Sequence, residues 1–598
     1  MTERTPHDDA APGSPEPSKV HTFDLIDEVP GVSDGTGPDD GGQDGADPEP
    51  EEPDAAQDQP RERAPREPGR VTVALAAART AVGRTARRGG AAVRRRLPTT
   101  RRGKVLLVGG TAFVLVLAVA AGVLVNAQLR ERALLATPSG VRSLEAKPTE
   151  QWSIDLDDPI AATLIEMPGV LAVVGDAKVR GVDPASGDVR WTVDVGADTR
   201  CGPAAPLGIG GPASTEPADP LVCVTSPGDA GDGDGDGKQV VTVVDADGAA
   251  QTREIDPDAL VLPADDGGLI ELEPTGGDLE QRPVVVDKLG APHLPKDFVG
   301  PDLAVRAEDA ATGAERWSDI VAFGAPRPDS CVTYDDNAAP VLDVVGALGW
   351  DLHGGVLEVH GCGVSAAYLL GGTRLDDPED TADPPADGVD TASFAPLPDG
   401  GWIGPDATAT DVTMPNDVVH LPHGASFALA GQVLLPWATD GRDPGLLLER
   451  VGVHVEARST AEGDAGAQLW SAPELRATTL LARVSGTAVV VDERGAVRAI
   501  DLGTGADRWT LDPEVLSFGE LVWAAESTIF GAYTDGDTLL LPVTADPSGS
   551  TPGLRLLAVN LDDGSVRWEI AQETPYTQLI SVDGYLAQIT QHGVVGLG

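Results

Sequence analysis

The feature that most constrains the fold is a short pattern that recurs four times along the chain. In each copy an Asp or Asn is followed by Gly four residues later and by Trp four residues after that. The copies are Asp183, Gly187 and Trp191; Asp309, Gly313 and Trp317; Asp501, Gly505 and Trp509; and Asn560, Gly564 and Trp568. In all four copies an Arg directly precedes the Trp. A fifth, weakened copy runs through Glu462, Gly466 and Trp470. The pattern predicts a repeat protein whose neighbouring units stack on one another.

The residue types predict two strands joined by a tight turn. Alternating apolar residues such as Val497 and Ala499 indicate a strand with one buried face. An Asp side chain can bond backbone N–H groups two residues on, and a Gly can adopt positive φ, so Asp501 and Gly505 together tighten a turn. Trp509 then falls on the next strand, where an indole fits the layer between adjacent sheets. We therefore interpret these Trp residues as core residues that hold the units together and not as ligand contacts.

The pattern Ala-x-Asp-x-x-Thr-Gly-x-x-x-Trp resembles the tryptophan-docking repeat of the pyrroloquinoline-quinone-like β-propellers. That family includes quinoprotein alcohol dehydrogenases and the propeller lipoprotein of the outer-membrane β-barrel assembly machinery. The resemblance implies an all-β propeller over residues 150–598. The spacings Trp152 to Trp191 and Trp470 to Trp509 are both 39 residues, which matches the length of one blade.

Counting Trp positions and gaps predicts seven or eight blades, and eight is favoured. The intervals from Trp191 to Trp317 and from Trp317 to Trp470 are too long for one blade each. They are expected to hold degenerate blades around 240–255 and 344–370, with loops such as 376–399. The last residues read as three strands that stop before a Trp. The strand at Trp152 is therefore expected to complete that blade and close the ring, which removes an exposed sheet edge.

The first 149 residues divide into four segments by composition. Residues 1–69 carry 19 acids against 5 bases and are rich in Pro and Gly, so an acidic, disordered cytoplasmic tail is expected. One island in that tail, with Phe23, Leu25 and Ile26, is either a docking motif for a partner or an accidental apolar cluster. Residues 70–104 are basic and Ala-rich, which suits anionic lipid better than nucleic acid because aromatic stacking residues are absent.

Residues 105–127 contain no charged side chain and are long enough to cross a bilayer. Basic residues crowd their N-terminal flank, so the positive-inside rule predicts a single-pass membrane protein with a cytoplasmic N-terminus. Residues 128–149 are then a short stalk, and the propeller lies outside the cell membrane. The remainder of the chain carries 76 acids against 27 bases, which argues against nucleic-acid binding by the propeller.

The four cysteines all follow the predicted span, as expected for an oxidising compartment. Four cysteines allow three pairings. The short-range pairing, Cys201 with Cys223 and Cys331 with Cys362, would staple loops. Two zinc-binding pairs are the alternative, but the sequence contains no Cys-x-x-Cys.

Three other motifs have residue types that occur in chemical sites. Asp232, Asp234 and Asp236 resemble the opening of a calcium loop, but Val243 stands where the bidentate acid belongs, so a Gly/Asp hairpin loop is favoured. His420 and His423, with His353 and His360, form a weak metal candidate. The Gly-x-Ser-x-Gly around Ser33 lies in the tail, without the strand and helix that a catalytic serine needs.

The sequence thus predicts a non-catalytic binding scaffold for an envelope protein, glycan or ligand, tethered by one helix. The alternative is a quinoprotein-type enzyme or a small-ligand sensor that signals through the tail. The resemblance implies a vicinal disulfide and a calcium site for the quinoprotein enzymes, yet no two cysteines are adjacent here. No catalytic, cofactor-binding or metal-binding residue is therefore assigned, and no quinone is expected. The identity of the partner and the oligomeric state stay open.

Overall fold

The computed structural model describes residues 127–598, with gaps at 203–216, 227–237, 277–281, 287, 289–290, 296–297, 325–330, 336, 377–393, 406–415, 512–528, 545–553 and 573–577. Residues 127–135 are helical, and the rest of the regular structure is strand. The described strands form nine small sheets arranged as the blades of a propeller, together with inserted strands. The predicted all-β propeller is therefore confirmed.

Blades 1 to 3 follow the N-terminal segment. Blade 1 contains β2 (Thr163–Met167), β3 (Val170–Gly175), β4 (Lys178–Val182) and β5 (Val189–Asp194). Blade 2 contains β6 (Thr199–Gly202), β7 (Leu221–Thr225), β8 (Gln239–Val244) and β9 (Ala250–Ile255). Blade 3 contains β10 (Leu260–Pro263), β11 (Gly268–Thr275), β15 (Asp302–Asp309) and β16 (Glu315–Val321).

Blades 4 to 6 are the least regular. Blade 4 has three named strands, β19 (Gly349–His353), β20 (Val356–Gly361) and β21 (Val364–Leu369). Blade 5 contains β22 (Ala395–Pro396), β23 (Trp402–Pro405), β24 (Asp417–His420) and β25 (Ser426–Ala428). Blade 6 contains β26 (Gln432–Val433), β28 (Leu446–Val451), β29 (His454–Ser459) and β30 (Gln468–Ala472).

Blades 7 to 9 complete the ring. Blade 7 contains β31 (Ala477–Val484), β32 (Thr487–Asp492), β33 (Val497–Asp501) and β34 (Asp507–Leu511), and β27 (Pro436–Thr439) adds to β31 in parallel. Blade 8 contains β35 (Tyr533–Thr534), β36 (Thr538–Thr544), β37 (Leu554–Asn560) and β38 (Val566–Gln572). Blade 9 contains β39 (Leu579–Val582), β40 (Tyr585–Thr590), β41 (Gly593–Leu597) and β1 (Glu150–Asp155).

Blade 9 is built from both ends of the described chain. Its outer strand β1 pairs antiparallel with β41, and Trp152 lies opposite Gly596. The expected closure by the strand at Trp152 is confirmed. Sharing one sheet between the two chain regions removes a free edge, as in other closed β architectures.

The hydrophobic core is distributed between the blades and has no single centre. Each of nine clusters of buried apolar residues joins two consecutive blades, from blades 9 and 1 round to blades 8 and 9. The first strands of neighbouring blades contact each other at the ring centre, for example β39 with β2. Because every blade buries its two faces against its neighbours, the ring is stabilised by nearest-neighbour packing.

The predicted blade number was wrong, because the structure has nine blades in its described residues. The degenerate blades expected around 240–255 and 344–370 correspond to blades 2 and 4. The additional one is blade 5, whose strands are only two to four residues long. Such short strands carry no readable alternation, and blade 5 has no Trp on its outer strand β25.

Residues 105–126, most of the predicted membrane span, lie outside the described residues, as does the tail with Phe23, Leu25 and Ile26. Within the part of the chain that the structure describes, no helix is both long and apolar enough to cross a bilayer.

Candidate binding face

The repeat residues make the contacts between blades. Trp191, on the outer strand of blade 1, donates its indole N–H to Ala246 O of blade 2 at 3.0 Å. Its ring lies against Gly248, where an added Cβ would approach Trp191 Cγ to 2.3 Å. Gly is therefore required at the contacted turn both for space and for its φ of +84°. The same contact joins Trp152 to Pro184 O, Trp317 to Leu370 O, Trp470 to Leu502 O and Trp509 to Leu561 O.

In three of the four repeats the Asp and the Arg form an ion pair at the turn that receives a Trp. In blade 7, the backbone N–H of Gly505 donates to Asp501 O at 2.8 Å, and Gly505 has a φ of +70°. The recurring Arg508 reaches back to Asp501 at 2.6 Å. That hydrogen bond is the main reason why the pKa of Asp501 is lowered. Arg190 has the same effect on the pKa of Asp183 in blade 1. These side chains are therefore engaged in the structure of the blades.

Two blades use another residue where the repeat has Trp. In blade 2, Arg253 donates from Nε to Ala310 O at 2.7 Å and lies against Gly313 of blade 3. Its guanidinium also pairs with the buried carboxylate of Glu308. In blade 5, Phe427 lies against Gly466 of blade 6. The Arg supplies an N–H donor in place of the indole N–H, and the Phe supplies an aromatic ring in place of the indole ring. Neither substitution can be recognised by a search for Trp.

Blades 4 and 5 meet through a different contact. Gly424, the turn glycine of blade 5, has no side chain within 4 Å of where a Cβ would stand. These blades instead bury Val356 and Ala367 with Phe394 and Trp402. Seven of the nine neighbouring pairs in the described residues have a side chain docked at the turn glycine, and this pair does not.

The segment predicted as a stalk takes part in ring closure. In blade 9 the turn that would receive Trp568 is absent, because the third and fourth strands belong to opposite chain regions. Leu144 O takes its place and accepts the indole N–H of Trp568 at 2.8 Å. Val141 and Leu144 are each 1% exposed and pack with Leu540 and Leu556 of blade 8. The chain from about residue 134 is thus part of the folded propeller.

The two ends of the propeller differ in their connections. We call the end with the turns from first to second and from third to fourth strands the turn end, and the opposite end the loop end. The N-terminal segment lies at the turn end, where Arg142 N donates to Gly584 O and Leu144 N to Asp535 Oδ2. Long connections leave from the loop end, among them 276–301, 322–348, 376–394 and 512–532. Two long ones, 203–220 and 434–445, belong to the turn end.

Two loop-end connections form a small accessory unit beside blades 3 and 4. It contains β12 (Arg282–Pro283), β17 (Val332–Tyr334) and β18 (Pro340–Leu342) in one sheet, with a hairpin of β13 (Val285–Val286) and β14 (Pro292–His293). The disulfide from Cys331 to Cys362 ties this unit to blade 4 and is buried among Val284, Leu342 and Val344. The second disulfide joins Cys201 to Cys223 on paired strands of blade 2. Both bonds follow the short-range pairing.

The accessory unit carries several of the large apolar side chains that face solvent. Tyr334 and Val299 are each 67% exposed, and Val285 is 58% exposed. Val286 and Val345 belong to the same group. Single exposed apolar side chains are common on protein surfaces, whereas several within one small structural unit make that unit a candidate for binding another protein. The loop end, with this unit, is therefore the candidate binding face.

The other sequence motifs do not assemble into a site in the described residues. His420 stacks on Trp402 with ring centroids 3.7 Å apart, and burial lowers its pKa. His423 instead lies 3.2 Å from Thr460 O. No group of three or more potential metal ligands occurs among the residues described. The motifs at Asp232 and Ser33 lie outside those residues.

Comparisons with known proteins show that part of the chain is similar to a repeat family. A family model described as outer membrane protein assembly factor BamB matches residues 456–594, which run from blade 6 to blade 9. Among solved structures, BamB from Moraxella catarrhalis is 12% identical, with 75% of this chain and 99% of that chain covered and a TM-score of 0.34. A quinohemoprotein alcohol dehydrogenase from Pseudomonas putida HK5 is 11% identical, with 78% and 76% covered and a TM-score of 0.32. Saccharomyces cerevisiae Sqt1 is 9% identical, with 76% and 98% covered and a TM-score of 0.30. No curated protein matches the sequence.

Proposed function

We propose that this chain, a β-propeller whose repeats resemble those of the pyrroloquinoline-quinone-like family, is a non-catalytic scaffold that binds a protein of the cell envelope. In this proposal residues 105–127 anchor the chain in the cell membrane, residues 1–69 stay in the cytoplasm, and the propeller lies outside. The partner binds at the loop end through the accessory unit.

The observation that carries the proposal is the separation of the two propeller ends. The N-terminal segment, which would lead from the membrane, is packed at the turn end by residues such as Ser139 and Val141. A chain anchored through this segment would turn that end toward the bilayer. The accessory unit with exposed Val299 and Tyr334 would then face away from the membrane, where a partner has access.

Two further features support binding over catalysis. The recurring polar residues of the repeats are engaged in turns and blade contacts, so they supply no reactive group. The acidic excess of the propeller favours a partner with a basic surface around its apolar contact, because complementary charge speeds and orients encounter.

Site-specific photo-crosslinking in cells tests the binding face. A photoreactive residue at Val299 or Tyr334 is expected to capture one discrete protein partner. The matched control is the same residue at Thr504, which is exposed in a turn of blade 7 at the turn end. Capture at Thr504 with none at the accessory unit would refute the proposed face, even if the scaffold function stands.

Two further measurements test the proposed membrane topology and the proposed lack of quinone chemistry. An epitope within residues 1–69 is expected to be protected in intact cells from which the wall has been removed, whereas one after Gly598 is expected to be accessible. The reverse pattern would refute the proposed topology.

Incubation of the purified chain with the quinone and calcium is expected to give neither saturable binding nor dye reduction. Either signal would favour the quinoprotein alternative.

A further inference from the structure

A small cavity lies at the turn end, between blades 5, 6 and 7. Its volume is about 90 Å³. Apolar walls come from blades 5 and 6, including Leu421, Leu446 and Leu448, and from Leu480 of blade 7. Its polar lining includes Asp399, Asp443, Thr460 and Arg483. The cavity is separate from the accessory unit at the loop end, and its apolar walls belong to the clusters that join blades 5 to 7.

Arg483 is the feature that distinguishes this cavity from a packing defect. The residue stands near the end of β31, is 7% exposed, and forms an ion pair with Asp399 in which Nη2 and Oδ2 are 2.6 Å apart. Its Nε is buried and has no hydrogen-bond acceptor among the described residues, and the Nη2 contact with Asp399 is an ion pair without hydrogen-bond geometry. An unpaired donor in a buried guanidinium is costly, since such groups are hydrogen-bonded in nearly all native interiors. The cavity that Arg483 lines offers room for an acceptor.

The charges around the cavity call for a cation as well. Asp399 is opposed by the single guanidinium of Arg483, while Asp443 and Asp440 add negative charge nearby. Burial is the main reason why the pKa of Asp399 is raised, and these two carboxylates raise it further against the effect of Arg483. One Asp440 oxygen accepts from Ser485 N, and one Asp443 oxygen from Gly445 N. Arg442 Nε lies 3.7 Å from Asp440 Oδ2, so three carboxylates face two guanidinium groups and one negative charge is left in excess.

We propose that this cavity binds a small zwitterion, an α-amino acid with a short apolar side chain. The ligand carboxylate accepts a hydrogen bond from Arg483 Nε, and its ammonium group lies toward Asp399 and Asp443. A simple anion would satisfy Arg483 but add to the excess negative charge, and a simple cation would leave Nε without an acceptor. A molecule that carries both groups meets both requirements.

The size and walls of the cavity narrow the ligand class. The volume of about 90 Å³ is several times the roughly 10–15 Å³ that one water molecule needs by the same measure, so a ligand of about six non-hydrogen atoms fits. The leucine side chains that line the cavity favour a methyl or similar group over a polar side chain. L-Alanine is therefore the natural probe.

Isothermal titration calorimetry on the purified full-length chain in detergent tests the proposal. L-Alanine is expected to bind saturably at one site per chain. Acetate and methylamine, which each carry one of the two charged groups, are expected to bind at least about tenfold more weakly. Absence of a saturable signal with L-alanine and glycine at millimolar concentration would overturn the proposal, as would acetate binding as tightly as alanine.

Variants connect the signal to the cavity. Arg483→Gln is expected to weaken alanine binding at least about tenfold. Arg508→Gln is the matched control on the same blade, outside the cavity, and should bind alanine as the parent does. If Arg483→Gln fails to fold, Thr460→Phe narrows the cavity without removing a charge and is expected to abolish binding. Unchanged binding in Thr460→Phe would refute the site.

Discussion

Replacement of Leu144 by Ala tests whether the N-terminal segment is part of the closed ring. Leu144 is 1% exposed and packs with Val141 and with apolar residues of blades 8 and 9. Removing a buried Leu side chain down to Ala costs about 2–5 kcal/mol, because transfer free energy is lost and a cavity remains. We therefore expect Leu144→Ala to lower the free energy of unfolding by about that amount.

A second substitution tests the hydrogen bond between Leu144 O and the Trp568 indole N–H. Leu144→Ala leaves the carbonyl that accepts the indole N–H of Trp568 at 2.8 Å, so the hydrogen bond itself is retained. Trp568→Phe removes the donor, leaves that carbonyl unpaired and is expected to cost a further 1–3 kcal/mol or so. The two changes share one cluster, so their combined effect should depart from additivity.

Thermal unfolding of the full-length chain, followed by circular dichroism, is the assay. The matched control is Leu129→Ala, because Leu129 lies in the helical residues 127–135 and is 57% exposed. A change at such a surface position should stay within about 0.5 kcal/mol. If Leu144→Ala and Leu129→Ala unfold at the same temperature, the segment does not stabilise the ring and the reasoning is refuted.

Three further predictions concern stability. Gly564→Ala should lower the melting temperature by the equivalent of at least 1–2 kcal/mol or so, because Gly564 has a φ of +73° and its Cβ would stand 2.7 Å from the Trp509 ring; an unchanged value would refute the docking role. Burial, and then the charge of Asp583, raise the pKa of Glu166 from 4.5 to about 8. A carboxyl whose pKa is raised on folding stabilises the protein at low pH and loses that contribution as pH rises from about 4.5 through 8. Glu166→Gln should therefore flatten the fall of melting temperature across that range, and parallel curves would contradict this. Cys331→Ser opens a disulfide that spans 31 residues and should cost about 3 kcal/mol, seen as a lower melting temperature and faster proteolysis of the accessory unit; wild-type protease resistance would refute it.

Much of the propeller could be predicted from the sequence because its stabilising contact is local in pattern. An Asp, a Gly and a Trp at fixed spacing form one turn and one docked ring, as blade 7 shows with Asp501, Gly505 and Trp509. Each copy keeps this spacing, so the copies can be recognised and counted along the sequence. The closing strand could be predicted for a similar reason, since the last three strands visibly lacked a Trp that Trp152 supplies.

The blade count could not be read in the same way. Arg253 and Phe427 occupy docking positions, because a guanidinium donor or an aromatic ring satisfies part of what the indole does. Blade 5 shows no repeat pattern in the sequence. Strands as short as the two-residue β22 cannot show alternation of apolar residues, and its docked residue is a Phe in place of the Trp. The candidate binding face could not be predicted from the sequence either. The exposure of Val299 and Tyr334 depends on how two connections that are distant in sequence fold together.

The sequence by itself determined the blade unit and its pitch, because both follow from interactions between residues at fixed, short separations. It also indicated the strand that closes the ring, because the last three strands lack a Trp that Trp152 supplies. Only the tertiary structure decided that Leu144 replaces a missing turn beneath Trp568, and that Arg483 meets Asp399 beside a cavity. Those contacts join residues more than 80 positions apart, where the packing of whole blades, and no local propensity, selects the partner.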